Sequence, residues 1–329
     1  ELGYVKIMRT AVVPMLPVSP DFQQNLMLGL LLGLGLGIGG GFVRQSMNWQ
    51  IYEPDDIQSQ GYSLVGVIPK MDREIKKAFK GKTEVEVDGR SLSTSLFPLL
   101  NPWSPITENY RLVRANLRYA SMKDGPAAES VAQSMIITSP EPGDGKTTTA
   151  VNLAITITLS GHKVLLIDAD MRRPHGHEML GVDRTPGLAD VLSGAATVEE
   201  VLHETVVDGL SFLSAGAPEI PPTELLDSER MRALMTASTH RFDVVIVDVP
   251  PVLAATDPIV VAPHCDAVLV VASADKTDFR ALSQVKQTLG AVGVPISGVI
   301  FNRYDAEKAS GTYKYGYGYD YKYDYTPTA

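Results

Sequence analysis

The stretch Met135–Ala154, MIITSPEPGDGKTTTAVNLA, decides the fold. A short apolar run ends at Thr138, a glycine-containing turn follows, and helix-forming sequence begins near Lys146. Gly143, Gly145, Lys146 and Thr147 match the end of the phosphate-binding pattern G-x-x-x-x-G-K-[ST]. Glycine lets backbone N–H groups turn inward around phosphate oxygens, and the helix N-terminus adds partial positive charge. In that setting Lys146 reaches the outer phosphates and the Thr147 hydroxyl ligates Mg²⁺. Pro140 stands where the pattern has its first glycine. The position between a strand and a helix restores specificity; the alternative is a glycine turn that merely caps a structural helix.

Downstream of Ser134, apolar segments alternate with amphipathic ones. The expected strands are Met135–Thr138, Val164–Asp168, Leu210–Ser214, Val244–Asp248, Ala267–Val271 and Ile296–Phe301. Their nearly continuous hydrophobicity is that of strands covered on both faces. Right-handed crossovers should connect them. The fold class expected is α/β, a P-loop NTPase-like, mostly parallel sheet flanked by helices.

Three acids sit where ligands bind in such sheets, at the carboxyl ends of strands. Asp168 and Asp170 follow one strand in LLIDADMRRP, and Asp248 ends another in FDVVIVDV. Asp170 also reads as a helix N-cap. Asp248 has the form of the acid that holds Mg²⁺ beside a phosphate loop. Pro250 and Pro251 then stop the strand. His175 and His177 lack a third ligand for a zinc site and read as loop residues near the crevice.

Upstream, Leu26–Val43 is an uncharged run of apolar residues and glycines, at the lower length limit for a membrane span. A buried core helix is the alternative, but so many glycines are costly in a soluble helix and better tolerated in lipid. Lys6 and Arg9 before the run and Arg44 after it give no orientation bias. Residues 44–100 read as a linker, with Ser63–Pro69 a short apolar segment within it. A helix is expected from about Pro105 to Ser121. At the other end, tyrosine fills every second position: Tyr313, Tyr315, Tyr317, Tyr319, Tyr321, Tyr323 and Tyr325. An edge strand has this period, but the interspersed glycines and the terminal position favour a flexible tail.

A net charge of −9 argues against a nucleic-acid partner. Cys265 is the one cysteine, so no intramolecular disulfide exists. The chain starts at Glu1 and no signal peptide is visible, which leads us to expect a piece of something longer.

Together, SPEPGDGKTT, LLIDADMRRP, VVIVDVPP and the tyrosine-rich end resemble the bacterial tyrosine kinases of exopolysaccharide and capsule synthesis. The run GLADVL from Gly187, GAPEIPPTELL from Gly216, and Asp257 agree with that likeness. It implies an ATP- and Mg²⁺-dependent enzyme that autophosphorylates its own tail. It implies catalytic roles for Lys146, Asp168, Asp170 and Asp248, with Asp168 accepting or orienting the tyrosine proton. Nucleotide would contact Gly143, Asp144, Gly145, Lys146, Thr147, Thr148, Arg172 and Asn302, and metal would meet Thr147, Asp170 and Asp248. Glu108, Arg111 and Arg114 match the family's E-x-x-R-x-x-R oligomerisation pattern; a solvated charge ladder on one helix is the alternative.

The implied organisation is an extracytoplasmic end (1–25), a transmembrane helix (26–43), a cytoplasmic linker (44–100), a kinase domain (101–304) and a tyrosine tail (305–329). The implied partners are neighbouring subunits in a ring, polysaccharide polymerisation and export machinery, a protein-tyrosine phosphatase and the bacterial inner membrane. Two rivals remain. A P-loop assembly ATPase of the septum-positioning or plasmid-partition type would carry a signature lysine where this chain has Glu141. A non-catalytic export scaffold would bind ATP without transferring phosphate.

Overall fold

The computed structural model describes residues 21–46, 49–122, 133–274 and 276–305. Ten strands occur among them: β1 Leu64–Pro69, β2 Glu84–Val87, β3 Arg90–Ser93, β4 Ser134–Thr138, β5 Val164–Asp168, β6 Leu202–Glu204, β7 Leu210–Leu213, β8 Val244–Asp248, β9 Ala267–Ser273 and β10 Gly298–Tyr304. Strands β4, β5, β8 and β9 are buried along their whole length. This is why their sequences run apolar without alternation.

Eight strands form one sheet in the order β1-β10-β9-β4-β8-β5-β7-β6. Every pairing is parallel except that of β6 with β7. Successive side chains feed opposite layers: Leu165 and Ile167 join the core on one face, Val164 and Leu166 the core on the other. The mostly parallel, doubly covered sheet expected from the strand pattern is therefore present.

The helix Lys146–Thr158 follows β4 and is buried on nearly every side. It is rich in threonine and branched residues, weak helix formers, so packing rather than propensity holds it. Helix Pro105–Met122 lies against it, with Tyr110 and Val113 fully buried.

The segment 44–100 departs from the linker expected of it. Leu64–Pro69 adds to the sheet as β1, in parallel register with β10 (Leu64 opposite Val299, Val67 opposite Phe301). Gly66 allows this, because a Cβ there would overlap the Val113 side chain of the covering helix. Asn116 of the same helix donates its Nδ2 to the Val65 carbonyl at 2.7 Å, satisfying an edge group that no strand reaches. Strands β2 and β3 form an antiparallel hairpin, and β3 packs against the helix Gly176–Leu180. An apolar run this short carries no signal of its partner when that partner lies at the far end of the chain.

The apolar helix runs Phe22–Ser46, longer than the expected 26–43 at both ends. Asp21 Oδ1 accepts from the N–H groups of Gln23 and Gln24 and so caps it four residues earlier than hydrophobicity indicated. Phe22–Gly41 has mean hydropathy 1.3 and is long and apolar enough to cross a membrane. The sheet and its helices belong to a separate compact unit that begins at Gln50.

Candidate active site

The loop between β4 and the helix Lys146–Thr158 is fixed by a ring of polar contacts. Gly143 and Gly145 take φ of 82° and 95°, values that only glycine adopts readily. A Cβ on Gly145 would also overlap the Asn302 amide. Between these glycines, Asp144 turns inward: its carboxylate accepts from the Glu141 N–H at 3.1 Å and meets Lys276 Nζ at 2.6 Å. Asn302 Nδ2 donates to the Asp144 carbonyl at 2.9 Å. Pro140 gives up an N–H at the departed glycine position, but its carbonyl still accepts from Leu253 N–H at 3.3 Å.

Strands β5 and β8 are adjacent and in register, so Asp168 and Asp248 stand opposite one another at their tips. Lys146 Nζ bridges from the loop, 2.8 Å from Asp170 Oδ2 and 3.2 Å from Asp248 Oδ1. The Thr147 hydroxyl donates to Asp248 Oδ2 at 2.6 Å. Asp168 lies deeper, each oxygen accepting one backbone N–H: Gly176 at 3.1 Å and Asp170 at 3.2 Å. The Arg173 N–H donates to Asp170 Oδ1 at 3.0 Å and closes the turn.

Three carboxylates thus surround one ammonium, all of them buried. Burial, reinforced by the charge of Asp248, pushes Asp168 up to about 8. Burial also lifts Asp248 above the usual carboxylate range, against the pull of Lys146. For Lys146 burial opposes the charged form, but Asp248 and Asp170 outweigh it and raise its pKa. The cluster is short of positive charge, so it suits cationic ligands.

The fit to a phosphate-bound Mg²⁺ follows from the donor set. Thr147 and Asp248 are already in contact, and Asp170 reaches the same lysine. Among the described residues no three acidic, histidine or cysteine side chains form a self-sufficient metal cage. Mg²⁺ does not need one: it commonly takes one or two carboxylates and completes its shell with phosphate and water.

A cavity of about 700 Å³ opens over this cluster, lined by Gly143, Gly145, Lys146, Thr147, Thr148 and Asp170. Asp144 and Asn302, expected to touch nucleotide, brace the loop from behind, Asp144 through the Glu141 N–H and Asn302 through the Asp144 carbonyl. Arg172 reaches its wall, but Asp257 holds the guanidinium at 2.8 and 2.9 Å, with Thr223 at 3.2 Å. The sequence reading missed Ser93 and Ser95 from the β3 end, and Arg173 and Arg303, which also line the cavity. Among the described residues neither of those two guanidiniums has a side-chain partner. Arg303 carried a signal that went unread, since it follows Asn302 in the strand that abuts the loop. Its φ of 57° is unusual for a branched-free but bulky residue and marks local constraint.

Glu108 and Arg111 pair within their own helix at 3.0 Å, and Arg114 donates to the Thr156 carbonyl at 3.1 Å. The tyrosines from Tyr313 to Tyr325 lie outside the described residues.

Comparison with known proteins agrees with this geometry. Residues 133–294 match a family model described as an AAA domain. The chain is 34% identical over 316 residues to the putative tyrosine-protein kinase EpsB of Ralstonia nicotianae, covering 96% of this chain and 40% of that protein. It is 32% identical over 317 residues to the tyrosine-protein kinase etk of Escherichia coli K12, covering 95% of this chain and 43% of that protein. The chain therefore spans less than half the length of these relatives. The solved kinase domain of Escherichia coli tyrosine kinase ETK superimposes with a TM-score of 0.70 at 30% identity, over 80% of this chain and 98% of that domain.

Proposed function

Because the chain belongs to the bacterial tyrosine kinases, we propose that it transfers phosphate from ATP to its own C-terminal cluster, Tyr313–Tyr325. The observation that carries this reading is the convergence of Lys146, Thr147, Asp170 and Asp248 at one strand-tip crevice. Bound ATP would supply the phosphoryl group, and Mg²⁺ the charge that offsets its oxygens. Lys146 would follow the outer phosphates as they enter, leaving Asp170, Asp248 and the Thr147 hydroxyl to hold the metal. The place of Asp168 at the strand tip, opposite Asp248 and behind Asp170, supports its role as acceptor of the tyrosine proton. Each Asp168 oxygen retains a lone pair beyond its backbone contact.

In this reading the tail of one subunit enters the crevice of the next in a ring, with Glu108, Arg111 and Arg114 at the contact. Phosphorylated tails would repel, since each phosphotyrosine carries close to two negative charges, and the ring would loosen until a phosphatase reset it. The apolar helix Phe22–Ser46 would anchor the chain in the bacterial inner membrane, with the ATP-using domain in the cytoplasm. There it would regulate exopolysaccharide or capsule polymerisation and export.

The test is direct. Phosphatase-treated protein is incubated with Mg²⁺ and ATP beside a Lys146→Met control, and tail peptides are analysed by mass spectrometry. Phosphate on Tyr313–Tyr325 in the parent alone is the expected result. ATP hydrolysis with an unmodified tail would replace this reading with the assembly ATPase.

A further inference from the structure

A second lysine serves the phosphate loop from its other side. Lys276 follows β9, and its Nζ contacts both Asp144 Oδ1, at 2.6 Å, and the Pro142 carbonyl. It does not line the cavity, so it is no rival to Lys146 for phosphate. Asp144, its partner, is fully buried and sits between the two glycines whose positive φ gives the loop its shape. The other Asp144 oxygen closes the turn by accepting the Glu141 N–H. Lys276 is itself held in place. Thr277 Oγ1 accepts from Ser273 N–H at 2.7 Å, the Thr277 carbonyl accepts from Ile51 N–H at 3.0 Å, and Gln50 bridges to Asp278.

We infer that Lys276 is a positioning residue for nucleotide binding: through Asp144 it locks Pro142–Gly145 in the phosphate-receptive shape. The inference deepens the ATP-binding reading above and rests on it. A loop with two glycines samples many conformations when free, and ordering it at the moment of binding weakens affinity. The Lys276–Asp144 pin orders it in advance. Removing the lysine also strands a buried carboxylate, which drives the loop open toward water. Neither effect touches the reacting atoms, so the loss falls on binding and spares the chemical step.

The experiment titrates the full 329-residue chain in detergent micelles with N-methylanthraniloyl-ATP and Mg²⁺. It compares the parent with K276M, K276R, D144N and the K276M/D144N double variant, with melting curves as the folding control. K276M and D144N are each expected to weaken binding about tenfold, equivalent to about 1.4 kcal/mol. The double variant should lose no more than either single one, because both act on one contact. K276R should bind within about twofold of the parent, since arginine can reach the same oxygens. Tail phosphorylation by K276M at saturating ATP should keep its rate while the half-saturating ATP concentration rises. Parental affinity in K276M, or a multiplied loss in the double variant, overturns the inference and leaves the kinase reading intact. A parent chain that binds no nucleotide overturns both. If K276M melts early, K276R against D144N decides: equal losses in both remove the role of the pair.

Discussion

Two lysines flank the same loop and meet buried aspartates, yet their surroundings differ in one respect. Lys276 faces one carboxylate, and the charges balance. Lys146 faces Asp170 and Asp248, with Asp168 behind them, and the charges do not balance. A balanced pair with its remaining atoms hydrogen-bonded is a fastening. An unbalanced cluster buried beneath an open cavity is strained until another cation arrives, and that strain is what a Mg²⁺–nucleotide site needs. The contrast separates a residue that shapes the loop from one that works inside it, which loop position alone does not.

The contrast breaks most visibly at the inner lysine. Lys146→Met should cut tail phosphorylation by about 10³-fold, the scale for removing a preorganised charge that stabilises the transition state. A K146M protein that still labels its tail in a quantitative mass-spectrometric time course would move the chemistry elsewhere. Next in size is the response to ligand. Mg²⁺ and ATP at about a hundred times the dissociation constant should stabilise the fold by about 2.7 kcal/mol, read as a rise in melting temperature. Asp248→Asn should abolish most of the Mg²⁺-dependent part, because it removes a carboxylate from the unbalanced side.

The imbalance also predicts a pH dependence for the metal- and nucleotide-free protein. Burial, with the charge of Asp248, pushes Asp168 up to about 8 in the fold from an ordinary value of 3.8. The native state therefore holds this proton more tightly than the unfolded chain does, and stability falls as pH rises through that interval. Denaturant unfolding should show lower stability at pH 8 than at pH 5, by more than about 1 kcal/mol. Saturating Mg²⁺ and ATP should shrink the difference, and a flat profile without ligand would show that the acids are compensated after all. The smallest effect belongs to the exposed pair Glu108–Arg111. Glu108→Gln should alter stability by under about 0.5 kcal/mol, while a shift in sedimentation toward smaller species would support the proposed ring contact.

What the sequence disclosed was whatever it carries locally. Strand, glycine turn and helix adjoin at Met135–Ala154, and Asp168 and Asp248 each end a recognisable apolar strand, so the crevice was legible although Lys146 and Asp248 lie 102 residues apart. Lys276 was not, because its partner is 132 residues away and nothing around it matches a motif. Arg172, a nucleotide contact by the resemblance, lines the cavity. Its engagement with Asp257 was not legible, because it depends on a helix start 85 residues on. The segment Leu64–Pro69 reads as linker because a lone apolar strand looks the same whether or not a sheet awaits it.

That strand sets a timetable for making the protein. Leu64 pairs with Val299, so the first strand of the sheet to leave the ribosome binds the last. At usual rates of synthesis the interval is on the order of ten seconds or more. Throughout that time β1 has an apolar sequence and no partner strand, and closing so distant a contact is slow as well. The remaining strands can assemble around β4 before then, but the sheet gains its outer edge only once β10 has emerged. The nascent chain is therefore most exposed to mispairing at the segment nearest its apolar helix, and a chaperone that shields Leu64–Pro69 would act where the risk lasts longest.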